Sequence, residues 1–296
     1  MTVNRFWQQY FGTGLVKTTE DFGSQERASH PELLDWLAVH FIDTGWDVKA
    51  FQKLIVMSGT YRQSSHVTPE LHKRDPANRL LARGPRFRLD AEMIRDNALF
   101  LSGQMNDQIG GASVKPYQPP GLWEAVGYTS SNTAKFQKDE GDALYRRSMY
   151  TFWKRTSPPP SMTTFDAPSR ETCTVKRERT NTPLQALNLL NDIQFVEAAR
   201  KFAERILREG GETTTDKVNF GYRWATSHVA DEQELAILSE LYEQNLEEFT
   251  NDPTSAEQLL NVGDSTPDPV MNPAELAAWT MVANTLLNMD ETIVKE

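Results

Sequence analysis

The sequence has a single cysteine, Cys173, so no intrachain disulfide can form. No histidine stands near it in sequence, and a lone thiol of that kind reads as inert rather than nucleophilic. There are only five histidines among 296 residues. His30 and His40 are ten apart, which is not the i, i+4 pair of a helical metal site, and His66 and His72 lie in a polar stretch without carboxylates at ligand spacing. No metal is expected. No apolar run approaches the ~20 residues a membrane helix needs. The opening MTVNRFWQQYFGTGLV lacks the charged-then-apolar layout of a secretory leader. Gly110-Gly111 has neither the lysine nor the spacing of a phosphate loop, and no internal repeat is present.

Basic residues are scarce at one end. Residues 209–296 carry 3 Lys/Arg against 18 Asp/Glu, whereas residues 1–208 carry 28 against 23. The chain is net −10, which argues against nonspecific nucleic-acid binding. The division suggests two parts: a mildly basic core domain over 1–208, and an acidic helical region over 209–296 packed on it. Gly210-Gly211 marks the boundary.

What is present centres on Leu144–Leu207. Between Tyr145 and Asn181 stand eight basic residues, namely Arg146, Arg147, Lys154, Arg155, Arg170, Lys176, Arg177 and Arg179, opposed by Asp166, Glu171 and Glu178. Clustered arginines can hold carboxylate, sulfate or phosphate groups in a bidentate fork; the plainer reading is that they pair with the acidic region or solvate a face. Aromatic and branched residues over 144–153 alternate imperfectly at period two, which predicts a strand. Pro158, Pro159 and Pro160 end it, and Phe165-Asp166-Ala167-Pro168 reads as a turn.

Helix starts are clearer. Thr182-Pro183-Leu184-Gln185 is a capping box with proline at the first helical position. Leu184, Leu187, Leu190 and Ile193 then form an expected core stripe, continued by Val196, Ala199, Phe202, Ala203 and Ile206. Asn191-Asp192 predicts a break. Asn188 shares the leucine face, as a tie to a neighbouring loop or as a ligand contact. Ser29-His30-Pro31-Glu32 reads as a second box opening a helical hairpin over 31–58, whose second helix Asp47 caps. A short helix is expected over 76–83, and another over 91–102 with Asp90 as cap and Met93, Ile94, Ala98 and Leu101 buried. Helices are also expected near 216–228 and 231–249 and from Pro273 to Asn288. Phe6, Trp7, Tyr10 and Phe11 require a packing surface. Asp21-Phe22-Gly23 reads as a turn. Residues 103–143 form a long loop rich in glycine, proline and aromatics, of a kind that is often functional. The fold class is therefore mainly α: an irregular multi-helix domain with long loops and a minor β element near 144–153.

The segments GTGLVKTTEDFG (12–23), HPELLDWLA (30–38), YRQSS (61–65), RFRLDAEMIRDNAL (86–99), KPYQPPGLWE (115–124), YRRSMYTFWKR (145–155), FDAPSRETC (165–173), RTNTPLQALNLLND (179–192) and LLNMDE (286–291) resemble, in this order, the Planctomycete-specific C-terminal domain of unknown function. The resemblance spans nearly the whole chain. It implies a portion of a longer exported protein of the cell envelope or periplasm, with upstream domains that often include a cytochrome c-type haem module, and polysaccharide-related gene surroundings. It supplies no catalytic residues. Haem attachment in this chain is not implied, because Cys173 is followed by Thr174 and no CxxCH occurs.

Three roles follow as expectations. One is a binding or assembly module, with anionic polysaccharide as ligand, contacted by Arg146, Arg147, Arg155, Asp166, Arg177, Asn188 and by the loop aromatics Tyr117, Trp123 and Tyr128. The second is a polysaccharide-active enzyme using carboxylates such as Asp142, Asp166 and Glu171. The third is a scaffold that docks the haem module.

Overall fold

The structure is a computed structural model that describes residues 1–22, 24, 26–126 and 130–295. Among these residues it is helix-rich, with thirteen α-helices and one two-stranded antiparallel sheet. Tyr128 and Gly23 lie outside the described residues. The chain forms two compact units: residues 1–88 with 173–177 and 294–296, and residues 89–172 with 178–293.

The first unit holds α1 (Thr2–Phe11), α2 (Pro31–Asp43), α3 (Val48–Val56), α4 (Pro69–Arg74) and the sheet of β1 (Phe87–Arg88) and β2 (Val294–Lys295). Its core joins Val3, Trp7 and Phe11 of α1 to Leu37 and Phe41 of α2 and to Phe51 and Ile55 of α3. This is the surface that the N-terminal aromatics require. Trp7 and Phe11 stack at 4.1 Å, and Phe41 and Phe51 meet at 5.1 Å. Buried Asn4 folds the following loop back on α1: its Nδ2 donates to Val16 O at 3.0 Å and its Oδ1 accepts from Val16 N at 2.9 Å.

The second unit is built on α8 (Ile193–Glu209) and α12 (Pro273–Asn288), around which stand α5 (Ala91–Leu101), α7 (Pro183–Asn191), α9 (Thr214–Thr226), α10 (Glu232–Asn251) and α11 (Pro253–Leu260), with short α6 (Pro160–Thr164) and α13 (Asp290–Ile293). Ala198, Ala199 and Ala203 on α8 and Ala277, Ala278 and Ala283 on α12 are fully buried. Small side chains at these positions let helix axes approach, and Phe202, Ile206, Trp279 and Leu286 fill the space beside them. Helices on both sides of Gly210-Gly211 share this one core, so residues 209–293 pack with 89–172 and 178–208 inside a single unit.

Several helix starts stand where the caps place them. Thr182 and Gln185 form the reciprocal box, Asp47 Oδ1 accepts from Ala50 N at 2.9 Å, and Asn272 Oδ1 accepts from Ala274 N and Glu275 N. The break at Asp192 is real, and its carboxylate caps α8 through Gln194 N at 3.0 Å.

Other expectations need correction. The strand over 144–153 is reduced to two single parallel bridges, Asn106 to Arg146 and Val114 to Thr151, set among 3-10 turns at Gly141–Tyr145 and Ser148–Tyr150. The paired strands lie instead at 87–88 and 294–295. The short helix is α4, ahead of the expected 76–83, because Thr68 caps it through Leu71 N and Pro69 fits its first position. On α7 the leucine stripe faces outward. Leu184, Leu187, Leu190 and Ile193 are exposed, and Gln185 and Leu189 are buried. Met93 is likewise exposed on α5.

Candidate functional site

The central basic stretch is mostly spent on holding loops. Arg146 is buried: its Nη1 donates to Ala112 O at 2.9 Å, and its Nη2 donates to Gln108 O at 3.0 Å and to Gly110 O. Its guanidinium also lies over the Tyr150 ring, 4.0 Å from the centroid, while Tyr150 Oη accepts from Gly110 N at 2.7 Å. One cation thus supplies the hydrogen bonds that turn 108–112 cannot make for itself. Arg146 is a clamp, and it has no free fork for a ligand.

The other expected contacts separate. Arg147 is partly exposed and lies 3.9 Å from Asp96, whose second oxygen accepts from Ser148 N at 2.7 Å. Arg155 is exposed and pairs with Glu171 at 3.4 Å. Arg179 pairs with Asp90 at 3.6 Å. These three carboxylates all lie outside the acidic 209–296 segment. Asp166, at φ +60°, accepts from Thr180 N at 2.8 Å and from its hydroxyl. Arg177 is half-buried and belongs to the first unit. Asn188 bonds to Asp192 at the α7–α8 junction, where burial raises the Asp192 carboxyl above its usual range. Trp123 is buried between Phe136 and Phe152, and Lys154 Nζ caps it at 4.9 Å while donating to Thr133 O at 2.8 Å.

Tyr117 joins a buried network that the sequence did not announce. Its hydroxyl accepts from Asp264 N at 2.7 Å and faces Glu197. Glu197 is 1% exposed, and its Oε1 accepts from Tyr145 Oη at 2.8 Å, Ser265 N at 2.7 Å and Ser265 Oγ at 2.6 Å. Burial first, and then the Glu197 carboxylate, push the Tyr145 phenol up to about 12 and the Tyr117 phenol higher still. Arg200, fully buried one turn along α8, donates to Ser265 O at 2.6 Å and to Glu204 at 3.2 Å. The loop 261–268 is therefore strapped along α8. The available sequence signal was weak: charged residues at 197, 200 and 204 on a helix that is apolar at 196, 199, 202, 203 and 206, and a glycine at 263. No group of three histidine, cysteine, aspartate or glutamate side chains converges as a metal site among the described residues.

An exposed apolar surface stands on the first unit. Trp36, Val39 and Ile42 follow at three-residue spacing on α2, and Trp46 and Val48 continue past its end. Trp36 is 53% exposed and Trp46 is 59% exposed. Trp36 stacks on His40 at 5.0 Å, and Trp46 meets buried Phe41 edge-on at 5.1 Å, so both rings are held in place while their outer faces stay open. Isolated exposed apolar residues are ordinary, but five within 36–48 mark an interaction surface.

The family model described as PSD1, protein of unknown function (DUF1553), matches residues 1–242. The match covers most of the chain, which therefore belongs to this family. No curated protein and no solved structure matches it. No helix among the described residues is long and apolar enough to cross a membrane.

Proposed function

We propose that this chain is a binding and assembly module of a larger exported, cytochrome-linked polypeptide of the cell envelope, and that it docks an upstream domain on the α2 face. The observation that carries the reading is the stripe Trp36, Val39, Ile42, Trp46 and Val48, rigidly positioned and open to solvent. The family resemblance supplies the kind of partner, a domain of the same polypeptide such as a c-type haem module. The chain itself has one cysteine and no CxxCH, so it does not fit a covalently attached c-type haem, which would belong to that partner.

The test mixes this chain with the separately produced upstream segment and follows the complex by sedimentation. Wild type should associate, and Trp36→Glu/Trp46→Glu should lose at least tenfold in affinity with its thermal transition unchanged. Equal association of the two proteins, or none, removes the assembly reading.

Contact with an anionic polysaccharide is the second reading. The exposed guanidinium of Arg155 and the partly exposed one of Arg147 favour it in the central stretch, whereas Arg146 is committed to its loop. Loss of acidic-glycan binding in Arg147→Ala/Arg155→Ala would support it, and unchanged binding would move the contact elsewhere.

A further inference from the structure

The second unit carries an open groove of about 730 Å³ at the end of α5, along α8 and against α9. Lys201, Arg205 and Arg208 line it from α8, and Phe100 and Trp224 supply its aromatic wall. The three cations fall at i, i+4 and i+7, one helix face about 10 Å long. Phe100 is 55% exposed, with its ring 6.3 Å from that of Trp224. Arg205 lies over Trp224 at 3.9 Å from the ring centroid and donates to Leu101 O at 3.3 Å, so the aromatic wall and the cation row form one surface. None of these groups belongs to the basic run over 145–181 or to the α2 face.

Lys201, Arg208 and the buried Arg200 all pair with the one buried carboxylate of Glu204, while Arg200 also faces Glu197 at 4.0 Å and Arg208 also pairs with Asp268. Glu209, paired with Arg205 at 3.2 Å, is the other acid of the lining. With Asp268 in place the three lining cations meet three acids, and with Asp268 displaced they outnumber the two that remain. A carboxylate of the chain itself occupies the end of the cation row. Asp268, from the loop strapped along α8, places Oδ2 2.8 Å from Arg208 Nη2, and its Oδ1 accepts from Val270 N at 3.0 Å. The Arg208 side chain is 54% exposed and that of Asp268 is 22% exposed, whereas Glu197 and Glu204 are at 1% and 2%.

We propose that this groove binds an acidic polysaccharide, with a sugar carboxylate or sulfate replacing Asp268 on Arg208 and an apolar sugar face lying on Phe100 and the open edge of Trp224. A nucleic acid fits less well. Its closely spaced phosphates would meet Glu204, Glu209 and displaced Asp268 together, whereas a glycan can present anions sparsely between flat apolar faces. The proposal deepens the polysaccharide reading and is independent of the docking face on α2.

The experiment titrates the whole chain with partly methyl-esterified polygalacturonate, lightly substituted dextran sulfate, neutral dextran and single-stranded DNA of matched length, at low and physiological salt. Polygalacturonate or dextran sulfate should bind saturably, and the difference between them assigns carboxylate or sulfate. Arg208→Ala and Phe100→Ala should each weaken binding about tenfold. Asp268→Asn should strengthen it three- to tenfold by removing the internal competitor, a gain that misfolding cannot mimic. Equal or weaker binding by Asp268→Asn overturns the site. So does DNA binding as tight as that of the acidic glycans, or loss only in Arg147→Ala/Arg155→Ala, which returns the contact to the central stretch. No binding of either acidic glycan by any of these proteins ends both this site and the polysaccharide reading.

Discussion

Arg95 Nε donates to Gln194 Oε1 at 2.8 Å, joining α5 to α8 across 99 positions of sequence. The same guanidinium donates to Leu144 O at 2.6 Å, Arg146 O at 2.9 Å and Ser148 Oγ at 3.1 Å. Burial holds Arg95 below the usual guanidinium range, to about 10, against the pull of Asp96 and Asp192. The central stretch is thus hung on one buried cation, and Arg146 in turn hangs the 108–112 turn from the stretch.

Arg95→Met should therefore destabilise the second unit by about 3–5 kcal/mol, since it leaves several buried acceptors unpaired at once. Urea unfolding would measure it. A cost under about 1 kcal/mol would show that water replaces the guanidinium without penalty.

Gly263 should not tolerate a side chain. It sits at φ +90°, and a Cβ there would run into the Glu197 carboxylate. Gly263→Ala should cost about 2 kcal/mol or more and raise hydrogen exchange across 261–268. Glu197→Gln should act on the same strap. An amide sets its own N–H groups among the donors of Tyr145 and Ser265, at a cost of about 3 kcal/mol. Wild-type exchange rates in that loop for either variant would mean that the strap is held by other contacts.

The capped helices were legible in the sequence because their signals are local. Thr182, Asp47 and Asn272 each satisfy amides two or three residues away, and no tertiary contact is needed to read them. The outward leucines of α7 were not legible. Periodicity identifies an apolar face but not what it meets, and Gln185, bonded to Thr164 O at 2.9 Å, took the inner position. The alternation over 144–153 misled for a related reason. Arg146 and Ser148 are inward because Arg95, Asp96 and the 108–112 carbonyls receive them, and those partners lie about 35 to 50 residues away. The α8 groove was invisible because Phe100, Arg208, Trp224 and Asp268 come from four separate segments.

The apolar stripe on α2 predicts a solubility effect without a stability effect. Trp36→Glu/Trp46→Glu should reduce binding of an apolar dye and self-association at high concentration. Its unfolding free energy should stay within about 1 kcal/mol of wild type, because the outer faces of both rings are already in water. A large loss of stability would mean that Trp46 contributes more through Phe41 than its exposure suggests.

The last prediction concerns acid. Asp75 Oδ1 accepts from Arg79 N at 2.9 Å and Oδ2 accepts from Leu80 N at 2.6 Å, while Arg79 forks onto Gly14 O and Leu15 O at 2.8 and 2.9 Å. Burial alone would raise this carboxyl. The amides of Leu80 and Arg79 and the charges of Arg83 and Arg79 outweigh it, so the folded pKa lies below the ordinary value. With the folded pKa depressed, the unfolded chain binds the proton more readily, and stability rises with pH between the two values. The contribution is complete above the unfolded pKa, near 3.9, and is lost as pH falls through the folded one. Protection of the Arg79 and Leu80 amides, relative to their intrinsic exchange rates, should therefore hold at pH 5 and fall below about pH 4. Asp75→Asn should be less protected by the equivalent of about 1–3 kcal/mol above pH 4, should converge on wild type below the folded pKa, and should lose the acid step. If the variant keeps the step, another carboxylate in the first unit controls its acid sensitivity.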